Sequence, residues 1–274
     1  MAPSRLDYSE AAVKAARSVL LELVRLLGEY RDHIVLVGGW VPEFIHSSAG
    51  SHCGSVDIDL ALNHRTLTEA GYRTITDLLL SRGYVQGPQP FIFFRNVPVG
   101  SETIKVQVDF LAGEYEGTGR SHRTQKMEGI QARKARGCDL AFDDYREETL
   151  TGTLPEGGFD SSTVRVAGIV AFITVKAMAL ADRLKEKDSW DIYFCLRYYP
   201  AGLDAVVAAF EPFRRHGLVL EALAKLNEKF ASPDHIGPRH VADFDMLVEP
   251  DDRAIAQRDA YERVKYLLTK LGVV

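Results

Sequence analysis

The run SVDIDLAL (55–62) places Asp57 and Asp59 two apart among the apolar residues Val56, Ile58, Leu60 and Leu62. A period of two sends alternate side chains to opposite faces of a strand, so the two carboxylates share a polar face, about 7 Å apart. Upstream, HIVLVGGW (33–40) is a β-branched run closed by Gly38 and Gly39. It predicts a buried strand entering a tight turn, then a brief helix over 41–47. Downstream, ETIKVQVDFLAG (102–113) repeats the alternation, with Val106, Val108 and Phe110 apolar and Lys105, Gln107 and Asp109 polar. If these strands are neighbours, three carboxylates converge.

Packed carboxylates raise one another's pKa or destabilise the fold unless a counter-charge is present. Either Asp57, Asp59 and Asp109 are solvent-facing positions of half-exposed strands, or they form a platform for a hard cation. Mg²⁺ (two ions), or Mn²⁺ in its place, suits the second reading, because such ions take carboxylates together with substrate phosphates. Gly38 and Gly39 then acquire a role, since a turn without Cβ atoms lets backbone N–H groups and a helix start approach phosphate oxygens.

Farther out, apolar residues at threes and fours predict a helix from Ser9 that ends near Gly28, and a second over 66–81 capped by Thr66 or Thr68. Short strands are expected around Tyr84 and 91–95, and further ones around 139–142, 148–154 and 163–166. Between Gly113 and Gly137 lies a glycine-bearing basic stretch with Arg120, Arg123, Lys126, Arg133, Lys134 and Arg136. It reads as an exposed insertion, either a solvated loop or an RNA-contacting flap. From Gly168 onward the pattern is helical: 169–186, 188–199, 202–214, 218–230 and 251–271. The fold class is therefore α/β (α+β), a mixed sheet with flanking helices over 1–165 followed by a helical domain over 166–274.

In that second half, Lys176 stands in an otherwise apolar helix and shares a face with Ala179 and Arg183. It must either snorkel to water or meet an anion. Asp188 and Asp191 follow, three apart. They orient Lys176 or Arg183, assist an acceptor, or simply favour a helix N-terminus with Asp188 as its cap.

Composition limits the function. A chain of 274 residues, 46% apolar and 26% charged, is neither disordered nor fibrous, and its formal charge of −5 excludes a molecule that grips nucleic acid over its whole surface. Three widely spaced cysteines, Cys53, Cys138 and Cys195, argue against a disulfide framework and for a reducing compartment. No targeting segment opens the chain, and its most apolar run, 169–181, is too short for a membrane span. A cytoplasmic protein without membrane contact is expected.

The turn Gly38-Gly39, the strand Asp57-x-Asp59 and the later Asp109 resemble the DNA polymerase β-type nucleotidyltransferase superfamily in order and type. Lys176-x-x-Ala179-x-x-x-Arg183 followed by Lys187-Asp188-x-x-Asp191 is similar, within it, to the AbiEii-like nucleotidyltransferases, which include toxins of type IV toxin–antitoxin systems. The resemblance covers roughly residues 30–200. It implies a catalytic domain over 1–165 that transfers NMP from an NTP to an acceptor hydroxyl, with RNA, especially a tRNA 3′ end, as acceptor. Growth inhibition and an antitoxin encoded nearby are implied as well. Asp57, Asp59 and Asp109 would hold metal, with Lys176, Asp188 and Asp191 joining them in catalysis. Gly38, Gly39, Ser55, Lys176 and Arg183 would bind nucleotide. Where the family often carries a basic residue two positions before Ser55, this chain has Cys53, and the adjacent His52 could supply the cation when protonated. Two competing readings are a small-molecule transferase of the aminoglycoside-modifying kind, using an acidic cleft built from residues such as Asp243, Asp245, Glu249, Asp251 and Asp252, and a non-catalytic nucleotide-binding module.

Overall fold

A computed structural model describes residues 4–46, 52–63, 65–113, 124–127 and 130–273. Chain contacts divide it into two units: one of Ser9–Val41 and Gly54–Gly168, and another of Met1–Tyr8, Pro42–Cys53 and Ile169–Val274.

The first unit is built on a mixed sheet. Its strands are β1 (Ile34–Val37), β2 (Asp57–Leu62), β3 (Val85–Gln86), β4 (Ile92–Val99), β5 (Glu102–Ala112), β6 (Thr124–Met127), β7 (Ile130–Lys134), β8 (Tyr145–Thr153) and β9 (Phe159–Ala167). The main path runs β3-β4-β5-β2-β1-β9-β8, and β7 extends it by pairing with the end of β5. β2 and β5 are parallel neighbours, with Asp57 opposite Gln107 and Asp59 opposite Asp109.

Helix α1 (Glu10–Leu26) starts where the Ser9 side chain accepts the Ala12 N–H, which satisfies one of the orphan donors of the first turn. Its Glu22 is buried and bonds Arg95 of β4, and Arg95 lies opposite Val106. Paired residues share a sheet face. α1 therefore covers the face carrying Ile58, Val106, Val108 and Phe110, all fully buried, and leaves Asp57, Asp59, Gln107 and Asp109 on the other. Burying each of these aliphatic or aromatic side chains contributes roughly 1.5–3 kcal/mol.

Three expectations change in this unit. The 139–142 segment is a 3-10 turn (Cys138–Phe142), not a strand. The second helix, α3 (Glu69–Ser81), begins later than 66, capped by Thr68, whose side chain accepts the Gly71 N–H. The basic stretch contains the hairpin β6–β7, whose backbone continues the sheet at Leu111 and Ala112, where a featureless insertion was expected. Arg120 and Arg123 lie outside the described residues.

The other unit takes in α2 (Val41–Ile45, from Pro42 on), α4 (Ile169–Arg183), α5 (Glu186–Tyr198), α6 (Gly202–Phe210), α7 (Gly217–Lys229), α8 (Ile236–Phe244) and α9 (Pro250–Lys270). α8 lies outside the helices expected from the sequence, and its opening residues include Gly237 and Pro238. Pro238 falls in the first turn, where a missing N–H costs nothing. Among the described residues no helix is long and apolar enough to cross a membrane.

Candidate active site

The carboxylate face is fixed by the turn between β1 and α2. Gly38 has φ +72°, a backbone region open to glycine and strained for other residues. A Cβ there would lie 2.1 Å from Asp59 Oδ2. The turn thus closes directly over the Asp59 carboxylate, and both constraints require glycine. Gly39 and Trp40, in the same 3-10 turn, are buried. Trp40 donates its indole N–H to the Asp57 carbonyl at 2.9 Å, tying the turn to the start of β2. The following helix α2 has five residues, too few for the dipole contribution assigned to it from the sequence.

Each carboxylate has its own support. The buried Ser55 donates its hydroxyl to Asp57 Oδ1 at 2.5 Å. Gln107 donates to Asp109 Oδ1 at 2.9 Å, and Asp109 is only 3% exposed. Burial pushes the Cys138 thiol up, and the charges of Asp139 and Asp59 push it further, so this free cysteine stays protonated and inert.

The register aligns the three aspartates, yet among the described residues no three His, Cys, Asp or Glu side chains close into a metal cage. The donor set still fits a hard cation: all carboxylate oxygen, with a glycine turn that a Cβ would obstruct. Mg²⁺ commonly takes one or two carboxylates and fills its shell with water and phosphate oxygens.

The helical unit holds a second cluster, described by itself. Lys176 is buried and places Nζ 2.9 Å from Asp188 Oδ1 and 2.6 Å from Asp191 Oδ2. Lys187 Nζ lies 2.8 Å from Asp191 Oδ1. Arg183, half exposed, binds Asp188 through Nε at 2.8 Å and a terminal nitrogen at 2.9 Å. Lys176 thus does not snorkel, and the anions it meets are Asp188 and Asp191. Asp188 is not a cap, since α5 starts at Glu186 and Asp188 is buried in its first turn.

Burial alone would raise both carboxyls, but Lys176 outweighs it. With Arg183 it lowers Asp188, and with Lys187 it holds Asp191 well below the usual carboxylate range. Burial and the same lysines drive His52 down to about 4. His52 is therefore neutral near pH 7, and the idea that it replaces a missing cation is wrong. Its Nε2 lies 2.9 Å from Asp191 Oδ1, and its ring packs on Trp190 and Phe194. No local pattern in the sequence signals a partner 139 positions away. Burial likewise raises the Cys53 thiol to about 11.

The acidic residues proposed for a basic acceptor do not form a recessed wall. Asp243 pairs with Arg253 and Asp245 with Arg5, while Glu249, Asp251 and Asp252 are exposed.

A sheet that aligns Asp-x-Asp with a third aspartate across a parallel register, under a glycine turn, belongs to the nucleotidyltransferase class of architecture. The family comparison agrees with it and goes further. The family model described as nucleotidyl transferase AbiEii toxin, type IV TA system, matches residues 22–265. The chain belongs to this family and is a nucleotidyltransferase of the toxin type. A comparison with curated proteins finds no match. Among solved structures, an antigenic nucleotidyltransferase-like protein from Paracoccidioides brasiliensis is similar at 15% identity, over 78% of this chain and 88% of its own, with a TM-score of 0.47. That likeness is too distant to bear on the site.

Proposed function

We propose that the protein transfers a nucleoside monophosphate from an NTP to a hydroxyl of RNA, in particular a tRNA 3′ end, in a divalent-metal-dependent reaction that inhibits growth and is countered by an antitoxin. The observation that carries this reading is the β2–β5 register, which sets Asp59 opposite Asp109 and Asp57 opposite Gln107.

Asp57, Asp59 and Asp109 would hold Mg²⁺, which when bound neutralises triphosphate charge and lowers the acceptor hydroxyl's pKa. The acceptor oxygen forms a bond to the α-phosphorus, the α–β bridging bond breaks, and pyrophosphate leaves with the electron pair. Asp109 takes the acceptor's proton. Its burial and the Gln107 bond keep it oriented for that transfer. Gly38 and Gly39 keep the approach to Asp59 open for phosphate oxygens.

In the helical unit three cations, Lys176, Arg183 and Lys187, face two carboxylates, Asp188 and Asp191, with His52 neutral. One positive charge remains in excess, and it supports a phosphate-binding role for Lys176 and Arg183. Asp188 and Asp191, saturated by these cations, act as positioning residues.

The test is incubation with each labelled NTP, Mg²⁺ and total tRNA, alongside Asp59→Ala. Label is expected in RNA with the native protein and in nothing with Asp59→Ala. That variant should melt no lower than the native chain, because removing one of several neighbouring carboxylates relieves repulsion. Native-level transfer by folded Asp59→Ala would reject the site.

A further inference from the structure

His52 belongs to neither charged motif of the helical half, yet its side chain is only 4% exposed and is fixed on two sides. Its ring centroid lies 5.1 Å from that of Trp190 and 4.9 Å from that of Phe194, and Nε2 lies 2.9 Å from Asp191 Oδ1. An ionised carboxylate only accepts, so Nε2 carries the proton and donates it. Lys187 straddles the same carboxylate, 2.8 Å from Oδ1 and 3.1 Å from Oδ2, and Lys176 lies 2.6 Å from Oδ2. An ammonium has three N–H donors. Lys176 directs two to Asp188 and Asp191, and its Nζ also lies 5.9 Å from the centroid of the Phe172 ring, which leaves an N–H without a carboxylate.

Resting on the phosphate-binding reading of Lys176, we propose that His52 is a positioning residue for nucleotide recognition: its Nε2–H, acting with Lys187, fixes the rotation of the Asp191 carboxylate, which holds Lys176 with one N–H left for the triphosphate. An aromatic slot beside Trp190 and Phe194 would accept phenylalanine equally well. The bond to Asp191 needs the imidazole N–H. The donor is neutral, so it restrains Asp191 without adding a cation to a cluster already in positive excess.

The proposal separates donor from ring. His52→Phe keeps the stacking and removes the N–H, whereas His52→Gln removes the ring and can return an amide N–H near the same point. Calorimetric titration with each of the four NTPs, and with the matching nucleosides as phosphate-free controls, is read beside thermal melting. His52→Phe should weaken binding of the preferred NTP about tenfold, the scale of one hydrogen bond to a charged group. Nucleoside binding should be unchanged, and His52→Gln should restore NTP affinity to within about threefold. Combined with Lys176→Gln, His52→Phe should add no further loss, because a residue acting through another is non-additive with it. Should Lys176→Gln not fold, Lys176→Met takes its place, keeping the length of the side chain while removing its charge. A lowered melting temperature with native NTP affinity in His52→Phe overturns the proposal, as does additivity in the double variant. Native NTP affinity in the folded Lys176 variant rejects the phosphate reading itself, and the role of His52 with it.

Discussion

Gly38 is where backbone and chemistry meet most closely. Alanine would face two penalties there: a left-handed φ of +72°, costing about 1–3 kcal/mol, and a Cβ 2.1 Å from Asp59 Oδ2. Gly38→Ala should therefore lower stability by that amount and displace Asp59, reducing transfer by roughly 100-fold, as ångström-scale misplacement does. Chemical denaturation and single-turnover assays read the two effects; full activity would mean that the turn does not constrain Asp59. His52 makes a prediction of another kind. Its pKa falls from an ordinary 6.5 unfolded to about 4 folded, so the unfolded chain binds the proton more readily. Its neutral burial supports the fold fully above pH 6.5, and that support is lost as pH falls toward 4, up to about 3 kcal/mol. Burial is the main cause of this shift; the charges of Lys187 and Lys176 add to it, and the Asp191 carboxylate opposes it. Between pH 7 and 4.5, native stability should fall more steeply than that of His52→Gln. Equal slopes would show that His52 titrates normally.

At the level of elements, α4 and α5 are joined by ions out of water. Removing one member of a buried pair strands the other, typically at about 3–5 kcal/mol. Asp188→Ala should cost that much, since it leaves buried Lys176 with Asp191 as its remaining carboxylate, whereas Arg183→Ala, at a half-exposed position, should cost about 1 kcal/mol. Urea midpoints at fixed pH distinguish the two; equal losses would show that burial does not govern the pairing. The elements also show what a sequence can disclose. β1 was legible as a short aliphatic run closed by Gly38 and Gly39, and β2 and β5 because alternation of aliphatic and polar residues is a local signal; the three aspartates came with it. α8 was hidden by Gly237 and Pro238, and β6–β7 by polar composition without a clear period. The partnership of His52 with Asp191 was illegible, because 139 residues separate them and only the tertiary fold brings them together.

For the whole molecule, a formal charge of −5 means that an RNA acceptor must be met by a local basic surface. β7 brings Arg133 and Lys134 into backbone register with Leu111 and Ala112, directly after Asp109, and Arg136 follows as an exposed residue. Replacing all three with alanine should impair RNA modification while sparing NTP binding. Each lost phosphate contact should reduce the log–log salt slope of RNA binding by roughly one. An unchanged slope with native modification would place the RNA surface elsewhere. The chain's division has a consequence for recombination. Because the helical unit gathers Tyr8, His46 and His52 from before the sheet is complete, a crossover near residue 168 would graft new helices while retaining the old histidines. A chimera made at one breakpoint would inherit an Asp191 equivalent and its imidazole donor from different parents, so a working exchange between relatives requires the 42–53 segment to travel with the helices.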